Sequence, residues 1–586
     1  MEKKKTVSLG MIVKNEERFL RKCLESVQDL VDEIIIVDTG SEDKTIEIAE
    51  SFNAKIYHYK WDNNFANARN VYVENATKDW ILVLDGDDIF EREDIEKFIE
   101  IVNTSEKDGH YFKTLSLINE NDKKNFSYNL NLRLLRNNGK YKYNGAIHEQ
   151  VISKEGVTDY SKFVNEDIRI YHLGYIQSVI DEKQKRQRNM TLINEELKKD
   201  PFNPFQNFNM AVEYYAMSDL ENSLKHFNTA YNVMNPSEGY GNKLILRRIM
   251  LLFDMKKYEE AIKGIDEGIS FFPDFTDLYF YKALTLAKQK KYTLAIKEYE
   301  KCISMGEAPI HLRFINGAST FRAYYELGNI YFKLKDYDEA INNFEKCLES
   351  NSENWGQYFN IAKCYDKSLG KEKTIDKLKS IFDLNDVNNM TLFIIIITEL
   401  KYYEEALQYS LDQNQKVATD ILIDVLSKIL IYLNKPERAY YQLIRMPKES
   451  PYFNDSKAYI ILIKIITNKL ILDEDFEVIN DENKKAAIKL IYDLCAGNKI
   501  EKEFDEPILK EIINLLQVLI RANEFELFEK AVESLNYINS KNCLLELAKL
   551  YERNGYTPMA LEEIIRSLKE FDKLDEESID ILYFNI

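Results

Sequence analysis

The sequence predicts an α/β domain built on a Rossmann-like mixed sheet, followed by an all-α helical solenoid. Three observations predict this. Strand-like and helix-like runs alternate from Thr6 to Leu84 with short connections, the pattern of βαβ units on a parallel sheet. Short strand-like pieces separated by turn signals then fill residues 110–175, which read as a mixed, antiparallel half of the same domain. From Gln177 onward the chain reads as helix, and one phrase recurs there at a near-constant interval.

Taken in order, Thr6–Val13 is a first strand. Asn15–Val27 is a helix with Phe19, Leu20, Leu24 and Val27 on one face. Glu33–Asp38 is a second strand that ends in a carboxylate. Thr39-Gly40-Ser41 turns the chain, and Ser41 and Asp43 can cap a helix running to about Phe52. Lys55–Tyr59 is a third strand, Asn64–Ala76 a helix and Trp80–Leu84 a fourth strand. That last run lacks polar alternation, as expected of a strand covered on both faces. Gly109–Leu117, Asn129–Arg136 and Glu166–His172 are the later strands, with a turn at Asn137-Asn138-Gly139.

In the helical part, Lys257-Tyr258-Glu259-Glu260-Ala261-Ile262 returns as Lys291–Ile296, with Ala295 lying 34 residues after Ala261. It returns again as Asp336–Ile341, after an extra stretch around Ala308–Ser319 that holds Pro309 and Gly317. Further copies centre on Ala406 and Ala439, and weaker ones fall at Asp219–Leu224, Asn523–Ala531 and Tyr556–Leu561. A helix pair of this length cannot bury its apolar face alone, so neighbours stack. The period and pattern resemble tetratricopeptide repeats, well matched from 205 to 365 and degraded from 370 onward. The chain thus divides into 1–190 (α/β), 191–370 (repeats) and 371–586 (degenerate repeats).

At 586 residues the chain exceeds one core. Its net charge of -19 argues against nucleic-acid binding, which draws its affinity from basic residues. No run of roughly 18 apolar residues occurs, so no membrane span is expected. Six cysteines without a CxxC pair, and no secretory signal, point to a reduced, cytoplasmic protein.

Candidate chemistry starts at Ile81-Leu82-Val83-Leu84-Asp85-Gly86-Asp87-Asp88. Ligands bind at the carboxyl ends of strands in open α/β sheets. Carboxylates at Asp85 and Asp87 offer an oxygen-rich site for a hard divalent cation carrying phosphates. The plain alternative is a solvated acidic loop. Calcium-loop, phosphate-loop and GxGxxG spacings are all absent. Asp38 ends a neighbouring strand, so it shares that rim and can accept hydrogen bonds from a ribose or base. Asn15 and Glu16 burst from the first strand onto the same rim, though a helix start explains them equally. Arg69 and Asn70 can face a diphosphate or base, or be ordinary helix surface. His148 and His172 read first as structural, yet an imidazole is a reasonable third ligand beside two carboxylates.

In order, Met11–Glu17, Glu33–Asp43, Phe65–Asn70, Trp80–Asp88, Gly145–Glu149 and Tyr171–Tyr175 resemble family-2 glycosyltransferases of the GT-A fold. The resemblance is to the bacterial branch fused to tetratricopeptide repeats, which includes sublancin-type peptide S-glycosyltransferases. It implies nucleotide-sugar contacts from Val13, Asn15, Glu16, Asp38, Gly40, Arg69, Asp85 and Gly86. It implies Mn²⁺ or Mg²⁺ on Asp87 and His172, and Glu149 as catalytic base, 23 residues before His172. Asp88, where the family often has Glu, competes with Glu149 for that role. The implied reaction is inverting transfer from a UDP-sugar to a peptide or protein acceptor held by the repeats, which also suit self-association. A surface-polysaccharide or lipid-linked acceptor, and a non-enzymatic scaffold with a spent transferase domain, are the alternatives.

Overall fold

The structure is a computed structural model that describes residues 5–117, 126–155, 158–173, 179–236, 238–350, 355–416 and 419–585. Its first compact unit is Met1–Ile330. There β1 (Val7–Val13), α1 (Leu20–Val27), β2 (Glu33–Asp38), α2 (Thr45–Ser51), β3 (Lys55–His58), α3 (Phe65–Asn75) and β4 (Trp80–Val83) follow the predicted alternation. β5 (Asp88–Phe90), α4 (Ile95–Thr104), β6 (Gly109–Leu117), β7 (Phe126–Arg136), β8 (Tyr141–Asn144), β9 (Gln150–Ser153) and β10 (Phe163–His172) come next.

The main sheet has the strand order β3-β2-β1-β4-β7-β6-β10-β5. β3, β2, β1 and β4 are parallel neighbours. β7 runs antiparallel to β4 and β6, β10 parallel to β6, and β5 antiparallel to β10. β8 and β9 form a separate hairpin. The sheet is therefore mixed, as the sequence predicts. β4 shows why its run has no alternation. Trp80 and Leu82 pack in one core cluster with Leu24 and Phe98, while Ile81 and Val83 pack in another with Ala68 and Tyr72. Helices cover both faces of this strand.

Two local expectations need correcting. α1 begins at Leu20, not Asn15. Asn15 adopts a left-handed conformation (φ 56°), and its side-chain oxygen accepts from the Glu42 amide at 2.8 Å. Ser41 does not cap a helix; its hydroxyl accepts from the Asn15 amide at 3.0 Å, and α2 begins only at Thr45. The loops after β1 and β2 are thus laced together, because their amides find partners across the rim rather than within a helix. β5, β8 and β9, strands of three, four and four residues, are additions to the predicted set.

α5 (Val179–Lys199), α6 (Pro204–Ala216), α7 (Leu220–Val233), α8 (Gly241–Asp254), α9 (Tyr258–Phe271), α10 (Thr276–Lys288), α11 (Tyr292–Met305) and α12 (Phe321–Lys333) follow. In the second unit, Tyr331–Ile586, helices continue from Tyr337–Ser350 to Glu576–Asn585. Six of the repeats turn on one device. A residue with positive φ ends the first helix, and five positions later a fully buried Ala starts the contact of the second. The pairs are Lys256 and Ala261, Lys290 and Ala295, Lys335 and Ala340, Lys401 and Ala406, Asn434 and Ala439, and Gly555 and Ala560. The amide after each left-handed residue donates back five residues into the first helix, as in Lys257 N to Leu252 O (2.8 Å) and Tyr402 N to Ile397 O (2.9 Å), which is a Schellman ending.

Candidate active site

The predicted site residues gather along the carboxyl ends of β1, β2 and β4. Val13 pairs with Asp38 in the sheet. The Asp38 carboxylate accepts from the amides of Ser41 (3.0 Å) and Gly40 (3.3 Å), with His58 Nδ1 at 3.4 Å. Gly40 sits at φ +107°, where a side chain is strained. Glu16 crosses to the next loop: a Cβ on Gly86 would lie 2.8 Å from its Cγ. Gly86 is therefore required by close approach, and it brings the β1 loop against the acidic cluster.

Asp85, Asp87 and Asp88 do different things. Asp85 turns to two guanidiniums, Arg69 Nη2 at 3.2 Å and Arg133 Nη1 at 3.1 Å. Burial alone would raise its pKa, but Arg133 and Arg69 outweigh that and hold it well below the carboxylate range. Asp88 has no exposed surface. One of its oxygens accepts from the Asp85 amide at 2.9 Å and meets Arg133 Nη2 at 2.8 Å, and the other faces His172 Nδ1 at 3.0 Å. Burial and the nearby Asp85 raise the Asp88 pKa against the pull of Arg133. His172 Nδ1 also lies 3.3 Å from Asp87. Burial disfavours an imidazolium there, yet Asp87 and Asp88 reverse this and push its pKa up to about 11.

Asp87, Asp88 and His172 each bring a ligand atom within 4.8 Å of the others. Two carboxylate oxygens and an imidazole nitrogen at that separation fit a divalent cation such as Mn²⁺. The predicted ligands Asp87 and His172 therefore do meet. Asp88 joins them, and Asp85 stands apart, paired with arginines. Gly174 and Tyr175, the end of the last motif, lie outside the described residues.

Glu149 pairs closely with Arg69 Nε, so that Arg69 spans Glu149 and Asp85. Arg69 also donates to the Tyr72 hydroxyl at 3.3 Å and lies over the Tyr143 ring. The Asn70 side chain clamps β8, donating to Tyr143 O at 3.0 Å and accepting from Tyr143 N at 2.8 Å. The loop that carries Glu149 is thus tied to α3. Behind it, Ile147 is buried among Leu192, Ile193 and Met210 of the first helices.

Sequence reasoning missed Arg133 and His58. Arg133 reaches both Asp85 and Asp88. Its signal is structural: the β6–β7 register slips between His110 and Tyr111, leaving Arg133 as the extra residue of a bulge. Bulges re-aim side chains beside active sites.

Residues 8–154 match the family described as Glycosyl transferase family 2, and residues 276–307 and 321–354 match Tetratricopeptide repeat. The chain is a glycosyltransferase with tetratricopeptide repeats. It is 29% identical over 297 residues to the SPbeta prophage-derived glycosyltransferase SunS of Bacillus subtilis (strain 168), covering 49% of this transferase and 69% of SunS. An uncharacterized glycosyltransferase of Rickettsia bellii is 33% identical over 107 residues, 18% of this transferase and 36% of that protein. Among solved structures, YrrB, a TPR protein with an unusual peptide-binding site, aligns with a TM-score of 0.25 at 15% identity, covering 32% of this transferase and 88% of YrrB. No helix among the transferase's described residues is long and apolar enough to cross a membrane.

Proposed function

We propose that this glycosyltransferase moves a sugar from a UDP-sugar to a peptide or protein acceptor with inversion, using a divalent cation. The convergence of Asp87, Asp88 and His172 at the end of the nucleotide-binding rim supports this reading most directly. A Mn²⁺ or Mg²⁺ ion held by these three residues would offset the charge developing on the leaving diphosphate. Val13, Asn15, Glu16, Asp38 and Gly40 line the part of the rim assigned to the base and ribose. Asp85 and Gly86 connect that part to the cation site, and Arg69 adds a guanidinium between them.

Glu149 is the proposed base, and Asp88 is not. Asp88 is fully buried with both oxygens engaged, whereas Glu149 stands at the rim on a loop that the helical repeats support. In the reaction, the acceptor's nucleophilic atom bonds to the anomeric carbon as that carbon's bond to the diphosphate breaks. The bonding electrons leave with UDP, and Glu149 takes the acceptor proton. Arg69 fixes the Glu149 carboxylate in place. In this reading, residues 1–190 form the transferase domain, 191–370 the regular repeats and 371–586 the degenerate ones. The six cysteines are all free, which suits a reducing compartment such as the cytoplasm.

The test is UDP release from a panel of UDP-sugars with Mn²⁺, with and without candidate peptides. The reading requires metal-dependent release that Asp87→Ala abolishes. It also requires that Glu149→Gln keep metal-dependent UDP binding while losing transfer. Release equal to that of Asp87→Ala with every donor and acceptor rejects it.

A further inference from the structure

The stretch 306–320 interrupts the repeat period between α11 and α12, and the structure anchors it firmly. Asp277 of α10 accepts from the amides of Phe314 (2.9 Å) and Ile315 (2.7 Å). Asn242 of α8 donates to His311 O at 3.1 Å. Thr276 donates to Gly306 O at 2.8 Å, and the Arg247 guanidinium lies over the Phe314 ring. Two successive repeats therefore hold one insertion in a fixed shape.

What the insertion carries is Ile310. It packs on an apolar cluster of Phe19, Leu115, Tyr171 and Leu173, joined by Ile89 and Leu130. Three of these are chain neighbours of the metal cluster. Tyr171 and Leu173 flank His172, and Ile89 follows Asp88. The Leu173 amide donates to the Asp87 backbone oxygen at 3.0 Å, tying the β10 end to the acidic loop. Phe19 follows the Glu16 turn, its amide bonded to Glu16 O at 3.2 Å. The cluster thus adjoins the ligand residues along the chain, and Ile310 is the member that the repeats contribute.

We infer that the 306–320 insertion is a strut by which the repeats set the geometry of the cation site, with Ile310 as a positioning residue for His172 and Asp87. It touches no substrate. Its apolar contact fixes the strand end on which the imidazole is mounted, and outer contacts of this kind decide how well a ligand set is pre-formed. The inference rests on the cation site proposed above.

The experiment measures Mn²⁺ binding to the full chain by calorimetry, and exchange of the Leu173 amide by hydrogen–deuterium exchange without metal. Ile310→Ala is expected to weaken Mn²⁺ binding about tenfold, the low end for outer-shell changes, and to speed Leu173 exchange. Ile310→Val restores both. Asp277→Ala, which frees the insertion at its far end, reproduces the Ile310→Ala effect in weaker form. Wild-type affinity and exchange in a folded Ile310→Ala chain overturn the strut. Unfolding of both Ile310→Ala and Asp277→Ala while Ile310→Val binds Mn²⁺ as wild type also overturns it, because the insertion would then be needed for stability alone. No Mn²⁺ binding by the wild-type chain fails the cation-site reading instead.

Discussion

The rim of the sheet and the helical repeats solve opposite problems. The rim collects five charged groups, Arg69, Arg133, Asp85, Asp88 and Glu149, in a mostly buried space, each held by a partner distant in sequence. The repeats rest instead on one recurring local device. A left-handed residue and, five positions later, a buried Ala return from Lys256 to Ala560. The difference teaches where each region can tolerate change. Removing one partner of a buried ion pair leaves an unpaired charge, whereas altering one repeat disturbs only its neighbours.

Glu149→Gln is expected to have the largest effect, a loss of about 10³-fold in transfer rate, within the usual range for a general base. Unchanged transfer by this variant would move the chemistry elsewhere on the rim. Arg133→Met comes next. It strips Asp85 and Asp88 of their shared guanidinium and should destabilise the chain by about 3–5 kcal/mol, read by denaturant unfolding. Ala340→Leu forces three extra carbons into a fully buried helix contact and should cost about 1–3 kcal/mol, with little effect on metal-dependent UDP binding.

Asp277 supplies a pH test within the repeats. Burial outweighs its two amide bonds and raises its pKa from the carboxylate range to about 7. Between those values the folded state keeps a proton that the unfolded chain releases, so this group's contribution to stability falls as pH rises. Asp277→Asn should flatten the decline in Tm between pH 5 and pH 8; an unchanged slope would show that the carboxyl titrates normally. The smallest effect is expected from Lys335→Gly. Lys335 sits at φ 62°, and glycine there should stabilise by about 0.5 kcal/mol, the relief of left-handed strain less glycine's entropy cost.

Much of the site was legible because strand ends are legible. Asp38 and Asp85 each follow an apolar run, so they had to reach the same edge of a parallel sheet. His172 was harder, since its strand pairs with β6 and β5 far along the chain, and residue type alone made it no better a ligand than His148. Sequence shows the type of Asp88 but not its full burial. Arg133 was invisible, being one arginine in a strand with a second three residues later. The register slip that turns it inward arises only when β6 and β7 pair. The repeats reversed this order. Their alanines showed the period at once, while the left-handed Lys256, Lys290, Lys335 and Lys401 went unnoticed because lysine is not a usual helix-ending residue.

Local order was written in the chain: which runs are strands, which are helices, where the small residue recurs, and that acids cap the buried strands. These follow from periodicity and from the rule that apolar runs must be covered. Folding in three dimensions settled which acids meet His172, which arginines meet Asp85 and Asp88, and that an insertion between two repeats packs on the apolar cluster next to them in the chain. Those outcomes depend on pairing and burial between segments far apart in the chain, His172 lying 84 residues from Asp88 and Arg133 48 residues from Asp85, where no short-range pattern reaches.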